Sequence, residues 1–467
     1  MKTFTMLLFL KFLIFSAASQ VTFEKTYGYL HNDMAFSIKE CADNTFITCG
    51  YSNSPVTGMP EIYILKLDAF GDTLWTKRVG RPLDHLEGLS ISITMDQGYI
   101  ITGSWYKNGI EAPFLLKLSE DGEEEWFVSY HDELYKGYAT AVIQSSDSGY
   151  VFQGYRSSTD KEAKGSGPRI FIAKADNTGN LIWERSYGQN SRYPGKDIIE
   201  TADGGFVFCG DWKILHYTNA FLFKANHAGN LFWSRNYGNA DLDERAIGFK
   251  QTDDGGFIIC GSRKPGWFNS QVYLIKTNPH GIQSWSRILD AQANPSSIDL
   301  TDDNGFIIGA NNASNILLIR TNHEGDTLWT RGFGGVHTDV VYDILSTSDG
   351  GIIFCGTTQN QSNGGFDVYV VKTDAKGLLT GNKPLDQKVA SITVFPNPTR
   401  GLLYVKTSQD QFYYSLFNLV GEEVLAGKTS TNPKTNFGID LRPYPKGLYL
   451  LKVNCQSDIK TFKIIHH

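Results

Sequence analysis

Few of the residue groupings that announce chemistry occur in this chain. There are 6 Cys in 467 residues, none in a CxxC spacing, and no His, Cys or acidic cluster has metal-ligand geometry, so neither a metal site nor a redox motif is expected. No Ser/His/Asp signature, phosphate loop or zinc motif is present, and no cofactor is expected. Charge of one sign is not in excess. The formal net charge is −6, spread along the chain, which excludes the basic footprint of a nucleic-acid binder or of a protein held on an anionic membrane. After the first twenty residues no apolar run is long enough to cross a bilayer, so no transmembrane segment is expected in the mature chain.

What is abundant is glycine and aromatic side chains, with 47 Gly, 29 Phe, 23 Tyr and 9 Trp, a composition suited to many short strands joined by tight turns. The N-terminus has its own grammar. Lys2 precedes an apolar stretch broken at Lys11, and Ser16-Ala17-Ala18-Ser19 follows, the pattern of a secretory signal over residues 1–19 with cleavage expected after Ala18 or Ser19.

From residue 20 onward a paragraph of roughly 50 residues is rewritten seven times. Each copy has an apolar strand, an acidic turn and a second apolar strand; the turns begin at Asp43, Asp96, Asp147, Asp203, Asp254, Asp303 and Asp349. Asp followed by Gly or Asn supplies the positive φ that tight hairpins need. A third strand carries a basic residue at Lys66, Lys117, Lys174, Lys224, Lys276, Arg320 or Lys372, and Gly follows five positions later, from Gly71 to Gly377. Four residues beyond that Gly stands Trp75, Trp126, Trp183, Trp233, Trp285 or Trp329 on a fourth strand. The seventh copy lacks its Trp. Its fourth strand is expected from the mature N-terminus, residues 21–28, where Phe23 aligns with Trp183. Closure of this kind leaves no unpaired edge and favours a ring over an open solenoid. The expectation is an all-β chain: a seven-bladed β-propeller over residues 20–379.

The repeat also sorts the cysteines. Cys49, Cys209, Cys260 and Cys355 occupy one slot, immediately before a Gly, which Thr102, Gln153 and Gly309 fill in other copies. Equivalent slots in separate blades lie too far apart for a disulfide, so buried thiols are expected.

Within an up-and-down blade, the two constant turns share one face and the variable connections share the other. Recognition is expected on the variable face. Its exposed aromatics, Trp105, Tyr106, Tyr155, Trp212, Trp267 and Phe268, are the ligand-binding candidates, suited to stacking on sugar or to a protein hot spot. The Trp set is expected to pack between blades, and each repeat lysine to lay its stem on apolar surface with its head on a turn Asp or on carbonyls. Carboxylates of the fourth-to-first-strand loops, among them Asp33, Asp84, Asp132, Glu133, Asp243, Glu244 and Asp339, offer a possible acid–base pair. The spacing assigns none of them a catalytic role.

At residues 380–390 a polar linker ends the repeat, and residues 391–467 read as about seven short strands with Pro and Gly at the corners, a small Ig-like β-sandwich. Three blocks stand out: Phe395-Pro396-Asn397-Pro398 with Gly401, the strand Gly447-Leu448-Tyr449, and a terminal strand bearing Lys460 and Lys463. In this order they resemble the type A C-terminal sorting domain of the type IX secretion system of Bacteroidetes. The resemblance implies passage through the periplasm, translocation by that machinery, removal of the tail, and delivery as a secreted or cell-surface protein. The expectation for function is a non-enzymatic cargo propeller that binds a glycan or protein at the cell surface. The alternative is a polysaccharide-active glycosidase or lyase using loop carboxylates at the channel mouth.

Overall fold

The computed structural model describes residues 20–467 except 29–30, 82–83, 161–166, 189–193, 215–216, 239–241, 266–269, 361–364, 380–392, 407–410, 419–421, 431–436 and 456–457. The signal segment 1–19, the linker 380–390, Trp267 and Phe268 lie outside the described residues. The chain divides into two compact units at Thr380 and Gly381.

Among the described residues of the first unit the strands form seven four-stranded antiparallel sheets, the blades, each with four strands, A to D, in spatial order; in blade 1 B is Phe46–Asn53, C is Pro60–Leu67 and D is Thr73–Val79. The A strands are Asp33–Glu40, His85–Ile93, Tyr135–Gln144, Pro194–Glu200, Asp243–Gln251, Asn294–Leu300 and Asp339–Ser346. Each A strand adjoins the A strands of both neighbouring blades, the seventh and first included, so they form the inner wall of a closed ring. The seventh sheet is completed by Phe23–Tyr27, which pairs antiparallel with Asp367–Thr373 from Phe23↔Lys372 to Tyr27↔Val368. A chain whose first strand finishes its last blade has no free sheet edge at the seam.

The turns explain the spacing in the sequence. At each A–B hairpin the residue after the turn Asp has positive φ, whether it is Gly204 (φ 72), Asn44 (φ 60), Gln97 (φ 65) or Ser148 (φ 69). The Asp side chain steadies that geometry: Asp203 Oδ1 accepts from Thr201 Oγ1 at 2.5 Å and from Gly205 N at 3.2 Å. Its other oxygen receives the C-strand lysine. Lys117, Lys174, Lys224, Lys276, Arg320 and Lys372 all reach the turn Asp of their own blade. Blade 1 departs from the rule. There Cys41 replaces the turn Thr or Ser, and Lys66 donates to Cys41 Sγ at 2.9 Å and Tyr99 Oη at 3.0 Å.

The Trp residues bind blade to blade. A side chain on Gly122 would come within 2.7 Å of Trp75, one on Gly229 within 2.7 Å of Trp183 and one on Gly377 within 2.6 Å of Trp329, so each D-strand ring lies on the C–D turn of the following blade. Those glycines also have φ between 69 and 85, a region costly for other residues. The same rings meet the first aromatic of the next B strand, as Trp75 meets Tyr99 at 6.2 Å, Trp126 meets Tyr150 at 5.6 Å and Trp233 meets Phe257 at 6.4 Å. A tyrosine four residues after the Trp position adds a hydrogen bond across the same boundary: Tyr237 Oη donates to Gly281 O at 2.7 Å and Tyr27 Oη to Gly71 O at 2.6 Å. B strands such as Phe257–Lys264 are buried on both faces at their start because a sheet lies on each side. Cys49, Cys209, Cys260 and Cys355 are buried free thiols in those strands.

The second unit is a two-sheet sandwich. A three-stranded sheet (Thr393–Phe395, Leu402–Lys406, Phe437–Asp440) faces a four-stranded one (Glu423–Ser430, Gln411–Phe417, Gly447–Cys455, Asp458–His466). Leu403, Val405 and Ile439 from the first pack with Phe412, Leu416, Leu451, Val453 and Ile464 from the second. The Pro396-Asn397-Pro398 block clasps the terminal strand. Asn397 Nδ2 donates to Lys463 O at 2.6 Å and Asn397 Oδ1 accepts from Ile465 N at 2.9 Å. Thr399 continues the clasp through Ile465 O and His467 N, while Tyr449 Oη ties its strand to Pro445 O at 2.6 Å. Gly401 has φ 128 and lies against Arg442. Lys463 is exposed on the terminal strand, and Lys460 is on the same strand.

Candidate functional site

Each A strand breaks its register with the B strand at the same level. The irregularity falls between Ala35 and Ser37, Gly88 and Ser90, Ala139 and Ala141, Pro194 and Ile198, Ala246 and Gly248, Pro295 and Ser297, and Val341 and Asp343. A bulge turns an extra side chain out of the pleat. Seven bulges at one height therefore ring the channel, and Phe36, Leu89, Thr140, Lys196 and Tyr342 at or beside them line a cavity of about 370 Å³.

Below the bulge the channel wall is charged. Asp343 collects the most donors: Oδ2 accepts from Ile38 N at 3.1 Å, Ser37 Oγ at 3.2 Å and Lys39 Nζ at 3.4 Å, and Oδ1 from Ser297 Oγ at 2.8 Å. Burial would raise its pKa, but Lys39, Lys250 and these hydrogen bonds outweigh burial and hold it below the usual carboxylate value. Asp197 Oδ1 accepts from Lys250 Nζ and Oδ2 from Phe249 N, both at 3.0 Å. Burial disfavours the Lys250 ammonium, yet Asp197, Asp299 and Asp343 together push its pKa up. Asp299 is raised by burial, against the pull of Lys250 and of Ser346 N, which donates to it at 2.9 Å. Lys196 touches channel solvent although protein surrounds it; burial lowers its pKa, and Asp343, Cys355 and Asp197 only partly oppose that. Its ammonium donates to Tyr342 O at 3.0 Å and stands 5.6 Å above the Tyr342 ring, which meets Phe36 edge-on at 4.8 Å.

The aromatics expected on the variable face separate into different environments. Trp105 is not a loop-tip residue: it is 9% exposed, donates from Nε1 to Asp84 Oδ2 at 2.9 Å and packs against Phe127 at 5.7 Å. Its position inside the Tyr99–Lys107 strand turns the ring into the blade boundary, which corrects the expected exposure. Its neighbour Tyr106 faces solvent at 47%. Tyr155 is half-buried and stacked on Tyr138 at 5.5 Å, and Trp212 is half-buried against Phe221 at 5.1 Å. These four side chains do not line the channel cavity.

Of the carboxylates expected in loops, Asp33, Asp243, Glu244 and Asp339 instead stand at the starts of A strands, and most of the set are structural acceptors. Asp84 holds Trp105, Asp243 accepts from Thr218 N at 2.7 Å, and Asp132 accepts from Leu134 N at 2.8 Å. Glu244 is buried 3.1 Å from Arg263, Asp33 is buried 3.9 Å from Arg78, and buried Asp339 accepts from Gly335 N and Asn360 Nδ2, both at 2.7 Å. No group of three or more His, Cys, Asp or Glu able to hold a metal occurs among the described residues.

The channel residues were missed because the A strands read simply as apolar. A signal was nevertheless present: Asp197 and Asp343 stand six residues before Asp203 and Asp349, and Lys39, Lys250 and Asp299 stand four before Asp43, Asp254 and Asp303. Those two offsets alternate onto one strand face, the face toward the channel.

Residues 393–467 match the family model of the secretion system C-terminal sorting domain. The chain therefore carries the tail of a type IX secretion cargo, a secreted or cell-surface protein that engages that machinery. No curated protein matches the sequence. Among solved structures, virginiamycin B lyase from Staphylococcus aureus is similar at 10% identity, over 75% of this chain and 98% of that one, with a TM-score of 0.49. A Dyadobacter fermentans protein of unknown function matches at 10% identity over 76% and 99%, with a TM-score of 0.44. The β-propeller domain of the Trilobed protease from Pyrococcus furiosus matches at 9% identity over 79% and 100%, also at 0.44. The seven-bladed assignment rests on the strand pairing of this chain itself.

Proposed function

We propose that this is an exported, non-enzymatic binding propeller: it crosses the periplasm, is passed by the type IX machinery to the cell surface or medium, and there recognises a glycan or protein ligand. The observation that supports binding over turnover is the employment of the carboxylates at and before the starts of the A strands. A glycosidase needs two carboxyl groups about 5 to 10 Å apart and facing substrate, whereas Asp33, Asp84, Asp243, Glu244 and Asp339 are engaged in holding strands, loops and side chains. The bulged channel wall and the exposed Tyr106 remain available to a ligand.

Two measurements test this reading. A glycan array probed with the purified propeller is expected to return bound structures with no change in chain length on incubation; depolymerisation of a bound polysaccharide would replace the reading with the enzymatic one. Deleting residues 391–467 is expected to leave the propeller in the periplasm, and normal delivery of the truncated chain would refute the sorting part.

A further inference from the structure

Three lysines face the central cavity, and two of them have a carboxylate within ion-pair distance. Lys39 lies 3.4 Å from Asp343 and Lys250 lies 3.0 Å from Asp197. Among the described residues Lys196 has the Tyr342 carbonyl as its hydrogen-bond partner and no carboxylate at that range. An ammonium offers three donors. One acceptor on Lys196 and one on Lys250 leave donor capacity on both.

The cavity carboxylates are held by the wall itself. Asp343 accepts five hydrogen bonds, one of them from Ile344 N at 3.0 Å, and Asp197 accepts two. Of the lining hydroxyls, Ser37 and Ser297 donate to Asp343, Ser92 to Val142 O at 2.8 Å and Thr140 to Gly195 O at 2.7 Å. The free donors of Lys196 and Lys250 stand beside an aromatic pair, Phe36 and Tyr342, and the aliphatic wall of Leu89, Val142 and Ile198.

We propose that the channel cavity binds a small organic carboxylate, whose oxygens accept from Lys196 and Lys250 and whose body rests against Phe36 and Tyr342. A cavity of about 370 Å³ suits a ligand built on one ring. Lys196 is exposed to the cavity, and the protein around it lowers its pKa, a shift that an anion beside the ammonium opposes. The proposal rests on the binding reading above and names the ligand chemistry of its inner site.

Isothermal titration of the full exported chain with D-glucuronate and with phenylacetate tests it, with glucose and phenylacetamide as uncharged partners of each. At least one acid is expected to bind, its neutral partner at least tenfold more weakly, and the acid that binds distinguishes a sugar acid from an aromatic one. Lys196→Met is expected to weaken the acid at least tenfold, Lys196→Arg to retain most of the affinity, and Lys376→Met, at an exposed turn, to change nothing. Neutral partners binding as tightly as the acids would overturn the carboxylate while leaving the binding reading in place. Silence of both acids, or unchanged affinity in a folded Lys196→Met chain, would overturn the proposal whatever the glycan array returns. If Lys196→Met fails to fold, loss of affinity in a folded Lys196→Arg chain would overturn it equally.

Discussion

Phe23 and Gly71 touch so closely that a methyl group on Gly71 would come within 2.6 Å of the Phe23 ring. One is the first aromatic among the described residues and belongs to the last blade; the other is the C–D turn of the first. The contact repeats the Trp-on-glycine joint found at the other blade boundaries, and it is the joint that closes the ring.

Truncating that joint opens the seam. Phe23 is 7% exposed and also meets Phe46 at 6.5 Å. Phe23→Ala is expected to cost about 3 kcal/mol in urea unfolding, in the range for burying an aromatic and then deleting it. A loss under about 1 kcal/mol would mean the seam contributes little.

Trp105 and Tyr106 are neighbours with opposite roles. Trp105→Ala removes a buried ring and strands Asp84, and should destabilise the chain by about 3 kcal/mol or more. Tyr106→Ala should stay within about 0.5 kcal/mol of the parent. Calorimetry on both variants checks this, and equal effects would contradict the assigned burial.

Acid weakens the blade hairpins in a defined window. The Lys174 hydrogen bond, then that of Ser145, lowers the Asp147 pKa to about 2, and Lys224 and Thr201 do the same for Asp203. A carboxylate whose folded pKa is depressed adds stability above its unfolded value near 3.8 and loses it as pH falls toward 2. Asp147→Asn with Asp203→Asn should therefore lower Tm at pH 6 and converge with the parent near pH 2. A gap that persists unchanged at pH 2 would refute the ionic origin.

Lys196 works in the other direction. Its folded pKa lies below the ordinary 10.5, so its charged form is disfavoured in the native state, and stability gains as pH rises through the folded value. Asp343 and Asp197 favour its charge, while Lys39 and Lys250 face the same cavity. Lys196→Met is expected to leave Tm at pH 7 equal to or above the parent. A fall of several degrees would show that the residue is held for stability rather than for a ligand.

Asn397 is a clasp. Asn397→Ala removes two hydrogen bonds to the terminal strand and should speed amide exchange at Ile465. If a seated terminal strand is what the secretion machinery reads, surface delivery falls in parallel; rapid exchange with normal delivery would separate the two.

The ring was legible because its signals are local. A positive-φ residue after each turn Asp, a glycine five residues after each basic residue and an aromatic four beyond that are each demanded by one turn or one contact, so they recur at fixed spacing and betray the seven copies and the displaced strand at Phe23. The sorting tail was legible for the same reason, since Asn397, Gly401 and Tyr449 each serve a particular bond or corner. Other features depended on what the ring brings together. Trp105 looked like a loop tip until strand register turned it inward. Lys39, Lys196, Asp197, Lys250 and Asp343 come from four different blades, and along the chain nothing relates the charges of one A strand to those of another. Closure of the ring, with a bulge at one height in every A strand, set them around a single cavity; sequence spacing fixed the blades, and tertiary closure alone decided what the channel wall could hold.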